Sequence, residues 1–185
     1  MRLFVSVDLP ELADAIAAVQ RELAPAAGLR LTDPANAHVT VKFLGEVEPD
    51  RLDAVSEALE TAVWESDVGP FELSLGGLGA FPSTEYIQVV WVGVDAGSGS
   101  LTTLHEAVEA EYTAMGFDPT DHEFTPHVTI GRMDHGGGKE RVQQVLRERD
   151  PAIGRHAVEE VALTESTLTD TGPEYDRITT VPLVD

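Results

Sequence analysis

The stretch Ala37-His38-Val39-Thr40-Val41-Lys42-Phe43-Leu44-Gly45 decides the fold, because a shorter copy of it returns as Pro126-His127-Val128-Thr129-Ile130-Gly131-Arg132. In both copies His and Thr alternate with apolar, β-branched residues, which is typical of a strand. Because His and Thr are two positions apart, both side chains of a copy project from the same face. Two such strands lying side by side would present two imidazoles and two hydroxyls to each other.

Strand patterns and helix patterns alternate along the chain, which predicts an α+β fold. Strands are predicted at residues 1–9, 29–31, 38–44, 71–78, 86–94, 124–133, 158–167 and 177–183, and helices at 11–23, 49–63, 101–115 and 139–149. Residues 79–83 are predicted to turn, 136–138 to break the chain, and 97–100, Gly-Ser-Gly-Ser, to form a short flexible joint.

The spacing of the two motifs indicates an internal duplication. A strand, a helix and a His-x-Thr strand occur once in each half of the 185 residues, and His38 and His127 are 89 residues apart. We therefore predict one domain over residues 1–185, made of two similar lobes that face each other. Their facing surfaces would bring both histidines into one cleft.

The composition restricts the chemistry and the setting. The absence of cysteine excludes disulfides, zinc–thiolate sites and thiol nucleophiles, which leaves His, carboxylates, hydroxyls and cations. No apolar run is long enough to cross a bilayer, and the first residues lack a signal core, so we expect a soluble, cytoplasmic protein with no membrane partner.

The charge balance is strongly acidic, with 33 acidic against 12 basic residues, a net charge of −21 and two lysines. Such self-repulsion weakens a folded state at ordinary salt but is screened in molar salt, where the Debye length is roughly 3 Å. We interpret the chain as halophilic, with an acidic mesophilic protein as the alternative. Extended nucleic acid would be repelled unless salt screens the surface and the site is locally basic, which leaves a short end or a nucleotide as the possible ligand.

Two imidazoles suit the cleavage of a phosphodiester by water. One takes a proton from the nucleophile and the other gives a proton to the leaving oxygen, and pKa values near 6.5 allow both near neutrality. The hydroxyls of Thr40 and Thr129 are candidate donors to the charged phosphoryl oxygens. His38, His127, Thr40 and Thr129 are thus the candidate catalytic residues, although one His-x-Thr alone would carry little information.

The two motifs and several separated blocks together resemble a known family. The blocks are Arg-Leu-Phe-Val-Ser-Val-Asp-Leu-Pro at 2–10, Phe-Leu-Gly-Glu at 43–46, Gly-Arg at 131–132, Glu-Ser-Thr-Leu at 165–168 and Gly-Pro-Glu-Tyr at 172–175. Over nearly the whole chain the sequence resembles the RNA 2',3'-cyclic phosphodiesterases, historically called 2'-5' RNA ligases, of the two-histidine phosphoesterase superfamily. The archaeal members are the most similar.

This resemblance implies a bilobal fold, with two pseudo-symmetric lobes of antiparallel sheet and outer helices around a central cleft. It also implies hydrolysis of a terminal 2',3'-cyclic phosphate to a 2'-phosphate, on RNA 3' ends or small cyclic nucleotides, without metal or cofactor. Separately, we expect the protein to be a monomer. The order of acid and base stays open. An ATP-independent 2'-5' RNA ligase and a non-catalytic nucleotide- or RNA-end-binding module remain alternatives.

Two cations are candidate substrate contacts. Arg132 lies three residues after Thr129, on the opposite face of an ideal strand, but a bend at Gly131 would return it to the cleft. Lys42 shares the face of His38 by alternation and would add local positive potential. A surface arginine and a solvated lysine are the alternatives.

Four aromatic residues are candidates for stacking on a terminal base: Phe43, Phe81, Tyr86 and Trp91. Core packing is the preferred interpretation of Phe43 and Trp91, but Phe43 and Tyr86 are retained as candidate substrate contacts. The segment 122–127 does not match a zinc helix, and 136–139 does not match a P-loop. His105, His135 and His156 are interpreted as solvated or structural.

Overall fold

The computed structural model describes residues 1–184, which form two antiparallel sheets with four α-helices, so Asp185 of the predicted domain lies outside the described residues. The strands are β1 (Arg2–Asp8), β2 (Leu29–Leu31), β3 (His38–Glu46), β4 (Phe71–Pro82), β5 (Ile87–Val94), β6 (His127–Met133), β7 (Ala152–Val158), β8 (Glu160–Thr169) and β9 (Gly172–Pro182). The helices are α1 (Ala13–Leu23), α2 (Leu52–Ser66), α3 (Ser98–Ala114) and α4 (Lys139–Glu148).

The two sheets have corresponding strand orders. The first sheet has the order β3-β1-β8-β9, and the second has the order β2-β6-β5-β4-β7. Apart from the short β2, each strand of one sheet has an equivalent in the other, with β3 matching β6 and β1 matching β5. The predicted α+β fold with two similar lobes is confirmed.

The helices tie the two lobes together. Helix α1 follows β1 of the first sheet but contacts β6 and α4 of the second lobe. Helix α3 follows β5 of the second sheet but packs on β3 and α2 of the first lobe. In α1, Ile16, Val19 and Leu23 recur on one helical face and are buried. Each sheet is therefore packed against a helix that follows a strand of the other sheet.

Strand β3 contains a β-bulge directly after its His-x-Thr motif. Ser6 is paired with Thr40, but Val5, the preceding residue of β1, is paired with Lys42. Val41 is thus an extra residue, and it reverses the alternation for Lys42 and Phe43. A second irregularity follows at Leu44, since Phe4 is paired with Phe43 and Leu3 with Gly45.

Strand β6 contains the same bulge in the same place. Trp91 is paired with Thr129, and Val90, the preceding residue of β5, is paired with Gly131, which leaves Ile130 as the extra residue. The duplication therefore extends to the detail of strand register.

Three predictions about elements are wrong. Residues 79–83 do not turn, because β4 continues to Pro82. Gly79 lies within this strand and leaves room for the indole of Trp91, which a Cβ at this position would overlap. Residues 98–100 are not a joint, because they form the first turn of α3 ahead of buried Leu101. Strand β7 was not predicted at all, and it alternates buried and exposed residues only weakly.

The remaining helices and strands lie where they were predicted, with shifted ends. Within residues 1–184, none of the helices has the length and apolar character that crossing a membrane requires.

Candidate active site

His38 is held in one orientation and one tautomer. Its Nδ1 lies 2.8 Å from the carbonyl oxygen of Asn36, and its Nε2 lies 3.1 Å from Oγ1 of Thr40. Because a carbonyl only accepts, Nδ1 carries a proton, and in the neutral ring Nε2 accepts from the threonine hydroxyl. Residue 38 and its threonine thus form one hydrogen-bonded unit.

His127 is held in the same way on the opposite lobe. Its Nδ1 lies 2.6 Å from the carbonyl oxygen of Thr125, which is again two residues earlier in the chain. Nδ1 therefore donates, and Nε2 is the nitrogen that can exchange a proton with a substrate. Strands β3 and β6 contact each other, so the two imidazoles come from facing strands of different sheets.

Each imidazole lies against two aromatic rings. The ring centroids lie 5.1 Å apart for His38 and Phe4, 5.4 Å for His38 and Tyr175, 4.9 Å for His127 and Phe81, and 6.0 Å for His127 and Trp91. These rings limit the rotation of the imidazoles and remove water from them.

Burial lowers the pKa of both histidines below the usual value. For His38 this desolvation outweighs the carbonyl of Asn36 and the carboxylate of Asp8, which both favour the charged ring. For His127 burial is again the largest cause, and the charges of Arg132 and His38 add to it. The two imidazoles are thus close enough to influence each other's protonation.

Arg132 lies on the cleft face. It is paired with Val89, which shares the face of Trp91, so the bulge at Ile130 returns it to the side of Thr129. The side chain is exposed, and its charge lowers the pKa of both His38 and His127. The strand register thus returns Arg132 to the face of Thr129 through a bulge at Ile130 instead of a bend at Gly131.

Phe43 also lies on the cleft face, and the preferred interpretation of it as a core residue is wrong. Its side chain is 64% exposed, and its ring centroid lies 6.0 Å from that of Phe4, which contacts His38. The bulge at Val41 turns it outward. By strand register Phe43 is the equivalent of Arg132 in the other lobe.

Lys42 does not lie on the face of His38, and the prediction from alternation is wrong for the same reason. The bulge turns its side chain to the helix side, where it is 2% exposed and its Nζ lies 2.9 Å from Oε2 of Glu109. Nζ also donates to the carbonyl of Asp118 over 3.1 Å. Its charge is therefore used within the protein.

The other two aromatic candidates differ in position. Trp91 is partly buried beside His127, and the ring of Phe81 packs against it at an angle of 34° with centroids 5.1 Å apart. Tyr86 lies in the turn between β4 and β5, is 63% exposed, and accepts a hydrogen bond from Gln88. Among residues 1–184, the aromatic rings that contact either histidine do not include that of Tyr86.

Comparison with known proteins agrees with this geometry. The family model of the 2'-5' RNA ligase superfamily matches residues 8–170. The chain belongs to the 2'-5' RNA ligase superfamily. A protein of Methanothermobacter thermautotrophicus named RNA 2',3'-cyclic phosphodiesterase is 33% identical over 178 residues, which cover 95% of each chain. A protein of the same name from Archaeoglobus fulgidus is 34% identical and covers 95% of this chain and 96% of its own.

Solved structures of this superfamily share the fold. TT0787 of Thermus thermophilus superposes with a TM-score of 0.81 at 28% identity, covering 99% of this chain and 98% of its own. E. coli LigT, in a crystal structure with 3'-AMP, superposes with a TM-score of 0.79 at 24% identity, covering 100% and 98%.

Asp8 and Tyr175 were not predicted as site residues, although both lie in blocks that carry the superfamily resemblance. Asp8 is paired with His38 in the sheet and accepts from Ser6 over 2.9 Å and from Nε of Arg177 over 2.7 Å. Burial raises the pKa of Tyr175, partly offset by the charges of Arg132 and Arg2. Neither residue shows a pattern by which sequence alone could assign it to the cleft.

His105 is buried and hydrogen-bonded, as the structural interpretation predicted. Within the part of the chain that the structure describes, no three His, Asp or Glu side chains converge in a way that could hold a metal ion.

We expect both cleft histidines to titrate below pH 6.5 in the folded protein, because burial disfavours the imidazolium. The unfolded chain then binds more protons as the pH falls from 6.5 through the folded pKa values, so folding stability decreases over that range. Nuclear magnetic resonance of the imidazoles between pH 4 and 8 measures this. The control is the same chain unfolded in guanidinium, where both should titrate at about 6.5. A folded value of 6.5 or higher for either ring would contradict the burial seen here.

Proposed function

We propose that this protein hydrolyses the 2',3'-cyclic phosphate at RNA 3' ends, or on small cyclic nucleotides, to a 2'-phosphate. One observation carries the proposal: two imidazoles from opposite lobes each use Nδ1 for a backbone carbonyl and keep Nε2 for chemistry. The superfamily and the names of the relatives support the same reaction. Two titrating groups on facing strands are what a phosphodiester cleavage needs.

The reaction is a displacement at phosphorus. One imidazole removes a proton from water as the oxygen attacks, the bond from phosphorus to O3' breaks, and the other imidazole gives its Nε2 proton to O3'. The products are a 2'-phosphate and a free 3'-hydroxyl, and no cofactor or metal takes part.

We infer that His38 is the acid and His127 the base. By register His38 faces Asp8 across the strand pair, whereas the equivalent neighbour of His127 is Gly93. The carboxylate favours a protonated His38, and His127 has no carboxylate opposite it, whereas the charge of Arg132 lowers the pKa of both rings. Asp8 is bonded to Arg177, but Arg177 also binds Glu160, so these three side chains still carry one net negative charge.

Protonation of His38 also frees the hydroxyl of Thr40 to donate a hydrogen bond to the substrate. In the neutral ring Nε2 accepts the hydroxyl proton of Thr40. When Nε2 is protonated it becomes a donor, and the threonine hydroxyl is released to donate to a phosphoryl oxygen. Thr129 and Arg132 supply the corresponding donors from the other lobe, and such donors in a water-poor site are each worth about 3 kcal/mol.

Exposed Phe43 is the proposed platform for the terminal base, since a flat ring at the cleft edge stacks on any base. Tyr86, on the exposed turn, is proposed as an outer contact for a longer chain. Lys42 is not included, because its ammonium is committed to Glu109.

We expect adenosine 2',3'-cyclic phosphate to be hydrolysed to the 2'-phosphate in buffer with EDTA, and His38→Ala and His127→Ala each to lower kcat by about 10²- to 10⁴-fold. Phosphorus resonances identify the product. The control is His135→Ala, an exposed imidazole outside the cleft. Loss of wild-type activity in EDTA, restored by a metal, would refute the metal-free mechanism. Nucleotide binding without turnover would favour a binding module, and joining to a 5'-hydroxyl RNA would favour the ligase.

We expect a substrate whose leaving group needs no proton to distinguish the catalytic acid from the catalytic base. The substrate is 3'-deoxyadenosine 2'-(4-nitrophenyl phosphate), which cannot cyclise and releases 4-nitrophenolate. His38→Ala should lose much less activity on this ester than on the cyclic phosphate, whereas His127→Ala should lose activity on both. If His127→Ala is the variant that is spared, the assignment is reversed.

We also infer a monomeric enzyme of a salt-accumulating cytoplasm. One chain supplies both His-x-Thr strands, so the site needs no second copy. The net charge of −21 requires screening for full stability.

The midpoint of thermal unfolding should rise markedly between 0.1 M and 2 M KCl, because the Debye length falls from about 10 Å to a few Å. Sucrose is the control, since it favours the compact state without screening charge. An equal rise in sucrose, or no rise in KCl, would contradict the halophilic interpretation.

A further inference from the structure

A buried polar side chain from the helix layer backs each β-bulge. Nδ1 of His105, on α3, lies 2.8 Å from the carbonyl oxygen of Val41, and Nε2 of Gln20, on α1, lies 3.0 Å from the carbonyl oxygen of Ile130. Both residues are buried, with His105 8% exposed and Gln20 5% exposed. The two acceptors are the extra residues of the two bulges, so the two donors occupy equivalent places.

These hydrogen bonds supply a donor to a backbone carbonyl that the bulge leaves without a partner in the sheet. The extra residue of a bulge drops out of the ladder, so its buried carbonyl must find a donor elsewhere. In β6 the amide of Thr32 also donates to Ile130, over 3.1 Å, and Gln20 donates to the carbonyl of Thr32 over 2.9 Å. In β3, His105 is itself fixed, because its ring stacks on Phe124 with centroids 4.2 Å apart and planes 3° apart.

We propose that Gln20 and His105 are positioning residues of the phosphodiesterase, each holding a bulge so that the side chains after it face the cleft. The inference rests on the proposed function, because Thr129 and Arg132 are taken to grip the phosphate. Neither Gln20 nor His105 touches substrate. Each acts through the backbone of the bulge residue.

The reason is the period of two in a strand. If a bulge relaxes into regular pairing, every residue beyond it moves to the other face. In β6 this would turn Arg132 away and bring Gly131 to the cleft side. In β3 it would withdraw Phe43 and present Lys42, whose ion pair with Glu109 would be broken. The bulge donors therefore control which side chains reach the substrate.

The positioning also crosses between the lobes. Gln20 follows β1 of the first sheet but holds β6 of the second, and His105 follows β5 of the second sheet but holds β3 of the first. The strand that carries His127 is thus held by α1, which follows a strand of the first sheet. The strand that carries His38 is held by α3, which follows a strand of the second sheet.

The experiment removes each donor and keeps the size of the side chain. Gln20→Met and His105→Leu should lower kcat/KM for the cyclic phosphate by about 10- to 100-fold, as expected for small displacements of reacting groups. His105→Gln should recover most of the activity, because an amide fills the equivalent place in the other lobe. Gln20→Met should lower kcat as well as raise KM, since it releases the strand that carries Arg132.

The control is Tyr112→Phe, which removes another buried hydrogen bond from α3 to a backbone carbonyl, that of Val55 over 2.9 Å. This variant should lose thermal stability but leave kcat and KM unchanged. Activity losses in Gln20→Met and His105→Leu no larger than in Tyr112→Phe, measured where all are folded, would overturn the inference. Should Gln20→Met not fold, the comparison of His105→Leu with His105→Gln decides alone.

A double variant tests the route of action. In an Arg132→Met background, Gln20→Met should cause a much smaller further loss, because the guanidinium it aims is already gone. Fully additive losses would contradict positioning through the bulge. A wild-type protein that does not hydrolyse the cyclic phosphate would instead refute the proposed function, which is a separate outcome.

Discussion

The extra residue directly after each His-x-Thr motif determines which side chain follows the motif on the cleft face. Without the bulges at Val41 and Ile130, the strands would present Lys42 and Gly131 to the substrate side. With them, they present Phe43 and Arg132. A bulge costs a ladder hydrogen bond, and the buried amide and imidazole behind the strands restore it. The chemistry at the front of each sheet thus depends on a polar contact at its back.

The same feature explains what the sequence could predict. Each His and its Thr precede the bulge, so strict alternation placed those four side chains correctly on one face. Lys42 and Phe43 follow the bulge, and alternation placed both wrongly. The sequence around Val41 contains no glycine or proline that would indicate an extra residue. Tyr175 reaches His38 because the hairpin of β8 and β9 is paired with β1 through β8, a long-range register that no local pattern encodes.

The duplication gives the site symmetric geometry, while substitutions at equivalent positions give it asymmetric chemistry. Both imidazoles bind a carbonyl two residues earlier and lie between aromatic rings. Their partners across the strand pair differ, however, with a carboxylate at Asp8 and no side chain at Gly93. A hydrolysis needs one acid and one base, so two identical environments would serve it poorly. The differences between the lobes are therefore as informative as their likeness.

The acidic surface bears on the release of the product. A cyclic phosphate diester carries one negative charge, whereas the 2'-phosphate product carries nearly two above its second pKa of about 6. With a net charge of −21, the protein disfavours the product more than the substrate. Molar salt screens this repulsion and leaves contacts within a few ångströms, so binding of the phosphate depends on groups close to it, for which we propose Arg132 and the threonine hydroxyls. A long RNA would gain little from the rest of the surface, which suits an enzyme that binds the end of the chain and then releases it.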